Sequence, residues 1–235
     1  MKNKLTLITC SIISTLLIGC GSDESPFTTG GGSSSNIISD LNFALGADEP
    51  NPAVIDDDGA HGSVQVELIV SAGDRDNFAV TSGTIHFASE YGILSASSCQ
   101  LESTGQCSVT WSSILEGIPL DLLADITVYT LGEESYLDVD GSRNFNDGDT
   151  PLTDTAEPFI DINGAIATAP VFDLGIDVPI DLDNSGNDGA AHTPADGLMS
   201  VSRCAHSTLC APSSRIYIFD TITLNLDART PPTVP

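Results

Sequence analysis

Positive charge is what this chain of 235 residues has least of: seven Lys and Arg stand against 33 Asp and Glu, for a formal net charge of -26. Both lysines fall within the first four residues, so everything after them carries only five arginines. So negative a surface repels nucleic acid and anionic lipid head groups and favours cations as partners. Sustained helical periodicity is missing after the first twenty residues, which argues against a helical bundle. Catalytic signatures are missing as well. There is no Gly-x-Ser-x-Gly elbow, no His-Glu-x-x-His site and no glycine-rich phosphate loop. The histidines (His61, His86, His192 and His206) are scattered, and no carboxylate pair stands out as a glycosidase couple. The expectation is a protein that is not an enzyme.

What is present begins with "MKNKLTLITCSIISTLLIGC". Lys2 and Lys4 form a basic head, and the apolar run behind them suits a secretory signal over residues 1–19 better than a spanning helix. Its end, Leu17-Ile18-Gly19-Cys20, resembles the lipobox of bacterial lipoproteins. That resemblance implies cleavage before Cys20, lipidation of its thiol and a membrane anchor of several acyl chains, each buried methylene contributing about 0.8 kcal/mol. With Gly21 rather than an aspartate behind the cysteine, the same resemblance implies the outer membrane. Residues 20–45 then begin with "GSDESPFTTGGGSSSN", a Gly/Ser tether with an r.m.s. span of roughly 20–25 Å.

Of the six cysteines, the lipobox resemblance implies that Cys10 leaves with the signal and that Cys20 takes lipid. Cys99 and Cys107 form one sequence-local pair and Cys204 and Cys210 another, and in an exported protein both are expected to be disulfides. His206 lies inside "CAHSTLC", yet four zinc ligands are not assembled locally.

Period-two alternation runs through the rest. Val64, Val66, Leu68 and Val70 share a face, as do Ile85 and Phe87, Val109 and Trp111, and Ile126 and Val128. Ile216 and Ile218, then Ile222, Leu224 and Leu226, do the same near the end. Trp111 and Phe87 read as core; His86, between Ile85 and Phe87, reads as solvent-facing. Short strands punctuated by Gly, Asn, Asp and Ser predict an all-β, antiparallel sandwich.

The stretch "TSGTIHFASEYGILSASSCQLESTGQCSVTW" resembles the bacterial immunoglobulin-like domains of surface lipoproteins and invasin-type adhesins, and the likeness extends over roughly residues 64–161. It implies an immunoglobulin-like β-sandwich formed by residues 46–132 and 200–230. An acidic, loop-rich, metal-binding segment, residues 133–199, would precede the last strand. It also implies a role in surface interaction or adhesion, with a surface protein or glycan as partner. The alternatives are an envelope spacer without a ligand and a calcium-dependent glycan-binding module.

From Glu133 to Asp196 there are fifteen acids and one base, Arg143. Two carboxylates about 5 Å apart repel by about 0.8 kcal/mol in water and about 3 kcal/mol at an effective dielectric near 20, so such a segment stays solvated or recruits cations. "DVDGSRNFNDGD" has the spacing of a calcium loop. Asp138, Asp140 and Ser142 fall at positions 1, 3 and 5, Asn144 at 7, Asn146 at 9 and Asp149 at 12. It resembles dockerin and EF-hand loops, with two departures: Arg143 stands where Gly is usual at position 6, and Asp149 is shorter than the usual Glu. A second candidate, "DLDNSGNDG", offers Asp181, Asp183, Ser185 and Asn187, with Asp188 or Asp196 needed to close it because His192 sits at position 12. "DINGAIA" from Asp161 reads as a decayed copy, and "DDDG" from Asp56 as a turn leading into the domain. Glu134, Asp154 and Glu157 are available to complete sites from outside a loop. The expected cofactor is structural calcium.

Overall fold

The computed structural model describes residue 27 and residues 35–55, 62–162, 171–173, 176–180, 182 and 194–227. The regular secondary structure among these residues is almost entirely β. One 3-10 turn, Asp40–Asn42, leads into β1 (Phe43–Ala47), β2 (Gln65–Ala72), β3 (Thr84–Ser89), β4 (Ile93–Leu94), β5 (Ser98–Gln100), β6 (Gln106–Ser112) and β7 (Leu123–Gly132). Short pieces follow: β8 (Tyr136–Leu137), β9 (Thr150–Pro151), β10 (Phe159–Ile160) and β11 (Val178–Pro179). The last strand is β12 (Ile216–Asn225). Two four-stranded antiparallel sheets result, ordered β1-β2-β6-β4 and β12-β7-β3-β5, with the small hairpins β8-β9 and β10-β11 beside them.

Alternation explains the sheets. In β2, Val66, Leu68, Val70 and Ala72 are buried while Gln65, Glu67 and Ile69 face out. In β6, Cys107, Val109 and Trp111 turn inward. The apolar faces of both sheets share one core, to which β3 adds Ile85 and Phe87, β7 adds Ile126 and Val128, and β12 adds Ile218 and Leu224. Trp111 is its largest fully buried side chain, and its indole N–H donates to the Tyr91 carbonyl at 2.7 Å. Gly92 has φ +87°, and a Cβ there would collide with that indole, so this turn admits only glycine without rearrangement.

Cys99 lies on β5 and Cys107 on β6, with Cα atoms 6.0 Å apart. Although the strands are consecutive, they belong to different sheets, so the bond ties one sheet to the other. The second disulfide, Cys204–Cys210, is also formed.

Two departures from simple alternation matter. On β7 both faces are covered: Asp125 and Thr127, which point away from the core, are as buried as Ile126 and Val128. The cover is β10, whose Phe159 carbonyl accepts from the Thr127 hydroxyl at 2.7 Å and whose ring meets Phe219 of β12 at 5.8 Å between centroids. His86 is half-buried on the same outer face and stacks on Tyr129 at 5.2 Å, instead of standing free in solvent. At the start of the fold, Ile38–Asp40 joins the two sheets. The Ser39 amide donates to Gly73 behind β2, while Glu133 behind β7 donates its amide to Ile38 and accepts from that of Asp40.

Candidate metal centre

The segment from Asp138 to Asp149 folds on itself because its side-chain oxygens capture its own backbone amides. Asp138 accepts from the amides of Ser142 (3.1 Å) and Arg143 (2.7 Å). Asp140 accepts from the Ser142 amide at 2.9 Å, which holds its carboxyl below the usual range. Asp149 reaches back to the amides of Val139 and Asn146, both at 2.9 Å, and so closes the loop. The bends are backbone left-handed turns at Gly141 (φ +71°) and Arg143 (φ +60°). Arg143 thus adopts the conformation for which glycine was expected at that position.

The carboxylate oxygens of Asp138, Asp140 and Asp149 lie within 4.8 Å of one another. Ligands on opposite sides of a calcium ion are about 4.6–5.2 Å apart, so three oxygens this close fit around one such ion. Ser142, Asn144 and Asn146 are linked to this group by hydrogen bonds, and the Asn146 Oδ1 accepts from the Gly148 amide at 2.9 Å. The Asn146 amide nitrogen donates to Asp140 Oδ2 (3.2 Å), Ser142 Oγ (3.1 Å) and the Asn144 carbonyl (3.4 Å). One partly positive group is therefore ringed by three oxygens of the nominated set. Of the six residues picked out by spacing, Asp138, Asp140 and Asp149 bring carboxylate oxygens together, while Ser142 and the Asn144 carbonyl are tied to Asp140 through the Asn146 side-chain nitrogen. The donors are hard oxygens, the chemistry that calcium takes. Asp181, Asp183, Ser185 and Asn187 lie outside the described residues, as do Cys20, the signal and the Asp56–Gly59 turn.

Behind the loop is a second, small core. Phe145 is fully buried with Met199 and Val201, and Tyr136, Cys204 and Leu209 pack around them. The Phe145 amide donates to the Arg203 carbonyl at 2.9 Å, and its carbonyl accepts from Ala205 at 2.7 Å. His206 stacks on the Phe145 ring at 5.1 Å. Its Nδ1 accepts from the amides of Thr208 (3.2 Å) and Leu209 (3.1 Å) and lies 3.4 Å from an Asp147 carboxylate oxygen. The one sequence sign of this cluster is an apolar residue in the middle of an otherwise polar loop.

Glu133 and Glu134 anchor the segment to the end of β7. Glu133 accepts from Arg75 Nη2 (2.6 Å) and Nε (3.1 Å), and its other oxygen takes the Ser202 amide at 3.0 Å. Glu134 accepts from the amides of Thr155 (2.7 Å) and Ser200 (2.6 Å), so both its oxygens hold backbone rather than metal. Burial pushes its carboxyl up. Asp154 is likewise engaged, accepting from the Gly197 amide at 3.0 Å.

A separate acidic group lies where β10 covers β7. Burial pushes Glu90 up to about 7 and Asp125 up to about 6, with Asp121 and Asp161 adding repulsion to both and Asp177 adding to Asp125. The Thr223 hydroxyl donates to Asp125. Nothing in the local sequence marks these residues, because they are drawn together only by tertiary packing. The chain matches no protein-family model, no curated protein and no solved structure.

Proposed function

We propose that this protein is a non-enzymatic lipoprotein of the outer membrane, held by lipid on Cys20, whose immunoglobulin-like module is stabilised by calcium and serves surface interaction or adhesion. The observation that carries the reading is the approach of carboxylate oxygens from Asp138, Asp140 and Asp149 to within 4.8 Å of one another, in a loop where Ser142, Asn144 and Asn146 are hydrogen-bonded to that group. When bound, calcium supplies charge neutralisation; the six residues hold it, and Phe145 transmits the order of the loop to the small core behind it. Strand order supports the immunoglobulin-like part. β1-β2-β6-β4 and β12-β7-β3 follow the A-B-E-D and G-F-C arrangement of that fold, and β5, added beyond β3, departs from it.

At ten times its dissociation constant, one ion stabilises the folded state by roughly 1.4 kcal/mol. Calorimetric titration of the chain from Gly21 onward is expected to show saturable calcium uptake, and melting is expected to fall when EDTA is added. Asp138→Asn together with Asp149→Asn should abolish both effects; because these carboxylates also hold four loop amides, the metal-free melting point should fall too, and the readout is the lost response to calcium and to EDTA. No heat of binding, and a melting point indifferent to EDTA, would reject the calcium reading. Glycan-array binding that EDTA abolishes would instead select the glycan-binding alternative. An intact envelope with loss of whole-cell adhesion on deletion would separate the adhesin from the spacer.

A further inference from the structure

Three of the five arginines that follow the lysine-bearing leader surround a single cleft. It has a volume of about 530 Å³ and lies between the turn after β2 and the Asp138–Asp149 loop, lined by Ser35, Ile37, Arg75, Asp76, Arg143, Ser202 and Arg203. In a chain with a net charge of -26, this is where positive charge gathers. We propose that the cleft is a binding site for a small organic molecule bearing a compact oxyanion, a phosphate or phosphate-like group.

The three guanidinium groups differ in what they have to offer. Arg75 is held in place: Nε and Nη2 donate to Glu133, Nη1 donates to the Tyr136 hydroxyl, and the guanidinium lies 4.6 Å from the Tyr136 ring centre. Five N–H groups leave it two to spare. Arg143 has only a long contact of 3.7 Å to Asp76 and is largely exposed. Arg203 is exposed, and no ion pair forms on it among the described residues. Their backbones are fixed by the loop: the Arg143 amide is bonded to Asp138, and the Arg203 carbonyl accepts from Phe145. Forked, preorganised guanidinium donors suit an oxyanion.

Size and screening narrow the ligand class. The screening length is about 8 Å at physiological ionic strength, so a group seated in the cleft feels the three arginines, together with Asp76 and Glu133 beside them, before the rest of the acidic surface. A long polyanion would lie across the acids as well and be repelled. The volume is that of a small-molecule site and exceeds what a bare ion fills.

The cleft shares Arg143 with the Asp138–Asp149 loop, so the test is run both with calcium and in EDTA: binding in either condition upholds the cleft whatever becomes of the metal reading, and absence of binding in both rejects it. The purified full-length protein is titrated with inorganic phosphate and, separately, with glycerol 3-phosphate at constant ionic strength, following amide resonances. Saturable shifts at Arg75, Arg143 and Arg203 are expected, with glycerol 3-phosphate binding more tightly than inorganic phosphate; equal affinity for the two would overturn the organic-ligand proposal. Arg203→Ala should weaken binding about tenfold. Asp76→Asn, which removes the acid facing the cleft, should tighten it severalfold. Arg215→Ala, outside the cleft, should change nothing. Shifts that fail to saturate, or that are the same in Arg203→Ala and Arg215→Ala, would overturn the proposal.

Discussion

Arg143 occupies a backbone conformation that costs a side-chain-bearing residue about 1–3 kcal/mol, and the amide bond to Asp138 holds it there. Two substitutions at this position should therefore have opposite effects. Arg143→Gly is expected to raise stability by about 0.5–1 kcal/mol, because glycine takes positive φ freely. Arg143→Val, whose branched side chain tolerates that region worst, should lower it by about 1–2 kcal/mol. Urea unfolding in EDTA measures both, and a loss of similar size in the two variants would show that the side chain matters more than φ. At this scale the approach of Asp138, Asp140 and Asp149 was legible in the sequence, since the three are local and their spacing is read directly. What could not be read was the fate of Glu133 and Glu134. A carboxylate in an acidic run looks like a metal ligand, whereas here Arg75 and the distant amides of residues 155, 200 and 202 claim them.

Among the elements, the loop and the Cys204–Cys210 turn form one unit through Phe145. Phe145→Ala should cost about 3 kcal/mol, within the range for removing a buried aromatic ring, but the loss should be local. Hydrogen exchange is expected to accelerate at the amides of Met199, Ala205 and Ala211, while those of Val66 and Leu68 on β2 keep their protection. Uniform acceleration would mean that the small core and the large one unfold together. Strands β2, β3 and β6 were legible because each buries one face and leaves the other wet, which writes a period of two into the chain. Strand β7 was legible on one face only. Its outer face is dried by Phe159, 32 residues after Thr127, and no local pattern announces so remote a cover. The inter-sheet course of the Cys99–Cys107 bond was hidden for a related reason: consecutive strands look like a hairpin until their partners are known.

For the whole molecule, the cover over β7 makes stability depend on pH. Glu90, at about 7, and Asp125, at about 6, both lie above the ordinary carboxylate values of 4.5 and 3.8. A raised carboxyl is one whose ionised form the folded state disfavours, so its contribution is fully present below the unfolded value and is lost as pH rises through the folded one. In EDTA the melting temperature is therefore expected to fall between about pH 4 and pH 7 and then level off. Glu90→Gln with Asp125→Asn should flatten that slope, and an unchanged slope would assign the dependence to other acids. The passage of Ile38–Asp40 between Gly73 and Glu133 has a mechanical consequence. A pull on the chain ahead of Ser39 cannot peel the edge strand β1 away by itself. It is shared at once by both layers, which Cys99–Cys107 rivets together, so under tension the module should yield as a single body and not strand by strand.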